Sequence, residues 1–179
     1  VMGSEKSRGR FEELAEAAGK MLADGDGPDA IMLEMGGWDT HNNQLSRGAR
    51  LLTDLDNGLD RLRVHAGSRW SDTLVVIATE FGRTVAINGT RGTDHGTASA
   101  MFLAGGAMRG GRVLGDWPGL AAGSLYEGRD LMPTADVRAW VAAILAQHWQ
   151  LTSAELRNLF PALGALPVVS LRSSLTGAA

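Results

Sequence analysis

The sequence predicts an α/β fold with a mostly parallel sheet flanked by helices. Three observations carry that expectation. Apolar runs of strand length occur at residues 30–35, 73–79 and 100–104, amphipathic helical patterns lie between and after them, and Gly-rich polar loops adjoin each run. Runs with so little charge read as strands buried on both faces, as in parallel sheets. In such sheets ligands bind outside the carboxyl ends of the strands, which identifies the loops where a site is expected.

Taken in order, residues 11–23 read as a helix with Phe11, Leu14, Ala18, Met21 and Leu22 at helical spacing. Gly25-Asp26-Gly27-Pro28 punctuates a turn, and the first run ends at Gly36-Gly37. A long helix is expected over residues 43–66, where Leu45, Leu52 and Leu59 interleave with Gly48, Leu55 and Leu62. Residues 73–79, β-branched and uncharged, form the clearest strand. After the third run, residues 107–132 are irregular, with a short strand expected at Arg112-Val113-Leu114. Pro133-Thr134 opens a helix carrying Val137, Trp140, Val141, Ile144, Leu145 and His148 on one face. A last helix over residues 152–159 ends at Phe160-Pro161, and residues 164–179 read as a loosely held tail.

The 179 residues suit a single α/β domain, 1–179. Their start, Val1-Met2-Gly3, resembles neither an initiator nor a signal peptide and reads as the beginning of a C-terminal fragment of a longer protein. A net charge of −3 lacks the basic footprint of a nucleic-acid binder. Zero cysteines exclude disulfides, thiolate metal sites and Cys nucleophiles. No apolar run reaches the roughly 18 residues of a transmembrane segment.

The polar residues gather at the ends of the runs. After the first comes Gly36-Gly37-Trp38-Asp39-Thr40-His41-Asn42-Asn43, after the second Thr79-Glu80-Phe81-Gly82-Arg83-Thr84, and before the third Gly92-Thr93-Asp94-His95-Gly96-Thr97. Neutral imidazoles and carboxylates drawn from several chain positions are what a divalent cation requires. Asp39 and His41, two apart, can point the same way from an extended turn. Asp94 and His95 are adjacent, so one can ligate while the other orients it or serves a second metal. Each part also has a plain reading. Asp39, Thr40 or Asn42 can cap the long helix, Glu80 can pair with Arg83, and Asp94-His95-Gly96 can be a turn. Asn88-Gly89-Thr90 matches a glycosylation acceptor formally, but an Asn-Gly turn is the better reading. His65 belongs to a helix end and His148 to an apolar face. Trp38 reads as a packed wall residue.

This ordered trio, with Phe102-Leu103-Ala104-Gly105-Gly106 behind it, resembles the domain of unknown function 1501 family, a mostly bacterial family that looks like a branch of the alkaline-phosphatase and sulfatase superfamily. The resemblance implies the C-terminal half of an alkaline-phosphatase-like core, with one or two divalent metals at the strand ends. Carried over by position, Asp39, His41, Glu80 and His95 are the implied metal ligands, with Asp94 a further candidate. The metal would be zinc, manganese or calcium. Arg83 would steady the anionic group, and Thr40 is the in-chain nucleophile to test. Asp39 and His41 stand closer together than the superfamily spacing, Phe81 occupies a common His position, and the superfamily's nucleophile lies in an N-terminal half that precedes this stretch. The implied function is metal-dependent hydrolysis of phosphate or sulfate esters, an anionic ester being the partner. The alternative is a non-catalytic metal- or ligand-binding or assembly module of the same fold. The resemblance also implies a periplasmic or exported location, and an uncovered sheet edge would favour a homo-oligomer.

Overall fold

A computed structural model describes residues 3–164, and side chains from Arg10 onward. Most of the tail read over residues 164–179 therefore lies outside the described residues. By internal contacts the chain forms two compact units, one running to Ser71 and including Thr84–His95, the other made of Asp72–Arg83 and the chain from Gly96.

The first unit is built on α1 (Gly3–Ala23) and α2 (Gln44–Ala66). Helix α1 begins eight residues before the periodic apolar pattern (Gly3 against Phe11). Its buried residues include Ala15 and Ala18, whereas Leu14 and Met21 are 40% and 50% exposed. Ala15 and Ala18, with the Phe11 ring on Gly58, face α2, which permits close approach of the two backbones. A Cβ on Gly58 would overlap the Phe11 ring, and one on Gly19 would stand 2.8 Å from His65 Cβ. The helices run in the same direction. Glu12 Oε1 accepts from Asn57 Nδ2 at 3.1 Å, and one turn further on Glu16 lies 3.5 Å from His65 Nε2. The intervening chain must therefore run back, and along residues 31–35 side-chain exposure alternates with period two, as in an extended segment. That segment has no ladder partner among the described residues, and Met32 is 95% exposed. A run of apolar residues becomes a strand only when a neighbour takes its hydrogen bonds.

The second unit contains β1 (Val75–Ile77), β2 (Gly82–Arg83), β4 (Phe102–Ala104), α3 (Val137–His148) and α4 (Ser153–Leu159), with β3 (His95–Gly96) at its boundary. Two two-stranded sheets occur among the described residues, β1 with β4 and β2 with β3. Strands β1 and β4 are antiparallel, with Val76 opposite Leu103. Burial of both faces, expected for residues 73–79, is not met: Val76 is 37% exposed and its neighbours are half-buried. Residues 112–114 form no strand, and Val113 is 98% exposed. Gly111 and Gly115, at φ 73° and 107°, turn the chain on either side before a ladder can form.

Leu74, Met101, Leu103, Met108 and Trp140 pack on Ala143 and Ile144 of α3 to form this unit's core. Asp136 caps α3 by accepting from the Arg138 backbone N–H at 2.8 Å. Asp130 is buried, receiving Thr97 Oγ1 at 3.0 Å with Arg129 Nε 3.0 Å from its other oxygen. Thr152 and Glu155 form a capping box on α4. The Thr152 hydroxyl, and after it the Thr152 backbone N–H, hold the Glu155 carboxyl below the usual carboxylate range. A lowered folded pKa contributes stability above the unfolded value, and that contribution is lost as pH falls through the folded value. Amide protection in residues 153–159, measured against the intrinsic exchange rate at each pH, should therefore fall below the ordinary carboxyl pKa of about 4.3. Thr152→Ala should show the lower protection already at neutral pH.

Candidate metal centre

The candidate site lies wholly in the first unit, where two loops are laced together. One, residues 38–43, leads into α2, and the other is residues 84–95. Asn43 N–H donates to Thr90 O at 3.1 Å, Gln44 N–H to Arg91 O at 2.9 Å and Thr93 N–H to Thr40 O at 3.3 Å. Thr90 Oγ1 donates to His41 O at 2.6 Å. The Gln44 side-chain oxygen accepts from both Thr40 and Thr93 hydroxyls, tying the loops from beneath. Gly92 sits directly on the His41 backbone, where a Cβ would overlap the His41 carbonyl. Only glycine permits that approach.

This clasp brings Asp39, His41 and His95 together with their donor atoms converging. His41 Nε2 lies 2.9 Å from Asp39 Oδ1 and 3.2 Å from His95 Nε2, and His95 Nε2 lies 3.0 Å from Asp39 Oδ1. The two rings are tilted by 42° at a centroid separation of 4.9 Å. Tetrahedral ligands at zinc–nitrogen distances of about 2.0–2.1 Å stand about 3.3–3.4 Å apart, so an opening of a few tenths of an ångström suffices. Asp39 and His95 side chains are 66% and 53% exposed, which leaves the far side open to water or substrate.

Asp94, read from sequence as a further ligand or as orienting its neighbour His95, instead meets His41. Its Oδ1 lies 3.0 Å from His41 Nδ1, outside the group of converging donors. An ionised carboxylate only accepts, so Nδ1 carries the proton and the Nε2 of a neutral His41 presents a lone pair. That lone pair then faces Asp39 Oδ1, another acceptor, at 2.9 Å. A metal cation seated between them would satisfy both.

The other predicted site residues are placed as follows. Thr40 is 5% exposed and its hydroxyl donates to Gln44 at 3.0 Å, which makes it a brace of the loop. Glu80 and Arg83 belong to the second unit and are not among the converging donors; Glu80 is exposed and Arg83 half-buried. His65 is 3.5 Å from Glu16, and His148 lies beside Trp149 with ring centroids 6.2 Å apart. Asn88, read from sequence only as a turn former, bonds to both His41 O and Asp94 Oδ1. Its place six residues before Asp94, within the same Gly-rich loop, is the signal that points to it.

Two imidazoles, one carboxylate and a carboxylate behind one imidazole define a candidate metal-binding protein with three protein donors and open positions. The chain belongs to the family described as "Protein of unknown function (DUF1501)", whose profile matches residues 4–160. No curated protein and no solved structure matches it. No helix among the described residues is long and apolar enough to cross a membrane.

Proposed function

We propose that Asp39, His41 and His95 hold one divalent cation and that the protein is a metal-dependent hydrolase of phosphate or sulfate esters. The carrying observation is the convergence of His41 Nε2, His95 Nε2 and Asp39 Oδ1, each within 3.2 Å of the others, while Asp94 Oδ1 stands on His41 Nδ1. Imidazole donors suit zinc or manganese better than calcium, which prefers oxygen alone. A cation bound there supplies Lewis acidity and lowers the pKa of a coordinated water from about 16 to about 7. The exposed outer face of the triad admits an anionic ester, and Asp94 keeps the His41 ring in its ligating tautomer. The alkaline-phosphatase-like α/β arrangement belongs to this proposal on the resemblance alone. An exported location belongs to the same proposal on the resemblance alone, and self-association belongs to it through an uncovered sheet edge.

One observation favours the non-catalytic reading. Thr40, Thr84, Thr90 and Thr93 each spend their hydroxyl hydrogen on groups within the loops. A nucleophile in this unit would then be water. Titration with zinc, manganese and calcium, followed by turnover of an aryl phosphate and an aryl sulfate, separates the readings. One equivalent of zinc or manganese with metal-dependent turnover is the expected result. One equivalent without turnover of either ester selects the binding module, and no uptake of any metal overturns both.

A further inference from the structure

The carboxamide of Asn88 has its whole hydrogen-bonding capacity fixed by what surrounds it. Its Nδ2 donates to His41 O at 3.0 Å and to Asp94 Oδ1 at 3.1 Å. Its Oδ1 accepts from the backbone N–H of Thr90 at 3.0 Å and of Gly92 at 2.9 Å, with the Thr90 hydroxyl, which also reaches His41 O, 2.9 Å away. Two donor hydrogens and two acceptor lone pairs are all that a carboxamide has. Exchanging its oxygen and nitrogen would set acceptor against acceptor at His41 and Asp94, and donor against donor at Thr90 and Gly92. The orientation is therefore unique.

We infer that Asn88 is a positioning residue of the metal centre, acting on His41 through Asp94 and through the His41 backbone. The inference rests on the metal reading above. The chain of contacts is continuous. Asn88 Nδ2–H fixes Asp94 Oδ1, Asp94 Oδ1 receives His41 Nδ1–H, and the opposite ring nitrogen is thereby turned toward Asp39 and His95. The second Nδ2–H holds the carbonyl of His41 itself, so backbone and ring are set by one side chain. Asn88 touches none of the three converging donor atoms, yet without it Asp94 and the His41 carbonyl both lose a donor. Loss of such an outer-shell partner lowers metal affinity about 10- to 100-fold.

The test is cobalt(II) titration of the full chain, followed by visible ligand-field absorption, in wild type, Asn88→Ala, Asn88→Ser, Asp94→Ala and the double Asn88→Ala/Asp94→Ala. Serine keeps an acceptor for the turn but cannot reach Asp94, which guards against simple misfolding. Circular dichroism verifies the fold. Both Asn88 variants should bind about 10- to 100-fold more weakly, with a changed absorption band. The double variant should bind more weakly than Asp94→Ala alone but by less than the two single losses combined, since one of the two Asn88 contacts acts through Asp94. Unchanged affinity and band in folded Asn88→Ser, or losses that add in full, overturn the inference. Should wild type bind no cobalt, the metal reading fails, and Asn88 is judged separately on the metal-free protein by ring-nitrogen NMR of His41. A hydrogen-bonded Nδ1–H in wild type whose signal is shifted or lost in Asn88→Ser supports the positioning role, and identical ring signals in both overturn it.

Discussion

His41→Ala and His95→Ala are each expected to lower zinc affinity by more than about a hundredfold, beyond what loss of an outer-shell partner costs. Each removes one of three converging donors, and the remaining pair holds a cation through two bonds instead of three. Neither ring is buried: the side chains are 42% and 53% exposed, so their removal opens no core cavity. Stability should change little, and calorimetry with zinc on folded variants gives the comparison. His148→Ala is the control. His148 is half-buried on α3 and stands beside Trp149, so its loss should lower thermal stability and leave zinc affinity at the wild-type value. Equal loss of zinc in all three variants would mean that the wrong histidines had been chosen.

Gly92→Ala is expected to weaken zinc binding at least about tenfold, as disturbance of ligand orientation does elsewhere, without removing a ligand or a hydrogen bond. The added methyl would coincide with the His41 carbonyl, and the obstacle is backbone, which cannot swing aside as a side-chain end does. The loops must part, and the contacts that lace Asn43, Gln44 and Thr93 to the opposite loop lengthen with them. Helices α1 and α2 do not depend on Gly92, so helical circular dichroism should be retained. Zinc affinity equal to wild type would show that the clasp does not shape the site.

The helices were largely legible because capping and apolar period are local. The expected span 43–66 lies within a residue of α2, and Thr152 opens α4 as a capping box. Which face is buried was less legible. In α1 the pattern marks Phe11, Leu14, Ala18, Met21 and Leu22; Ala18 is buried as marked, but Leu14 and Met21 are exposed and the unmarked Ala15 is buried, because Gly19 and Gly58 let the helices approach closely. Strand behaviour was harder to read, since a ladder is a property of two segments. Residues 31–35 alternate like a strand but have no partner among the described residues, and residues 75–77 pair antiparallel with 102–104.

Of the candidate site, Asp39, His41 and His95 could be proposed from residue type and loop position alone. The division of labour between Asp94 and His95 could not, because it depends on which ring nitrogen Asp94 meets. Asn88 escaped notice as a site residue for the same reason. An Asn-Gly pair satisfies the turn rule by itself, and the two bonds from Nδ2 span 47 and 6 residues of sequence.

X-ray absorption at the zinc edge of the zinc-loaded full chain probes the heart of this account. The expected spectrum reports one zinc per chain with two imidazole shells and oxygen neighbours at about 2.0–2.1 Å. One imidazole shell should vanish in any His95→Ala sample that still retains zinc. A wild-type spectrum lacking imidazole scattering, or a chain that takes up no zinc at neutral pH, would contradict it.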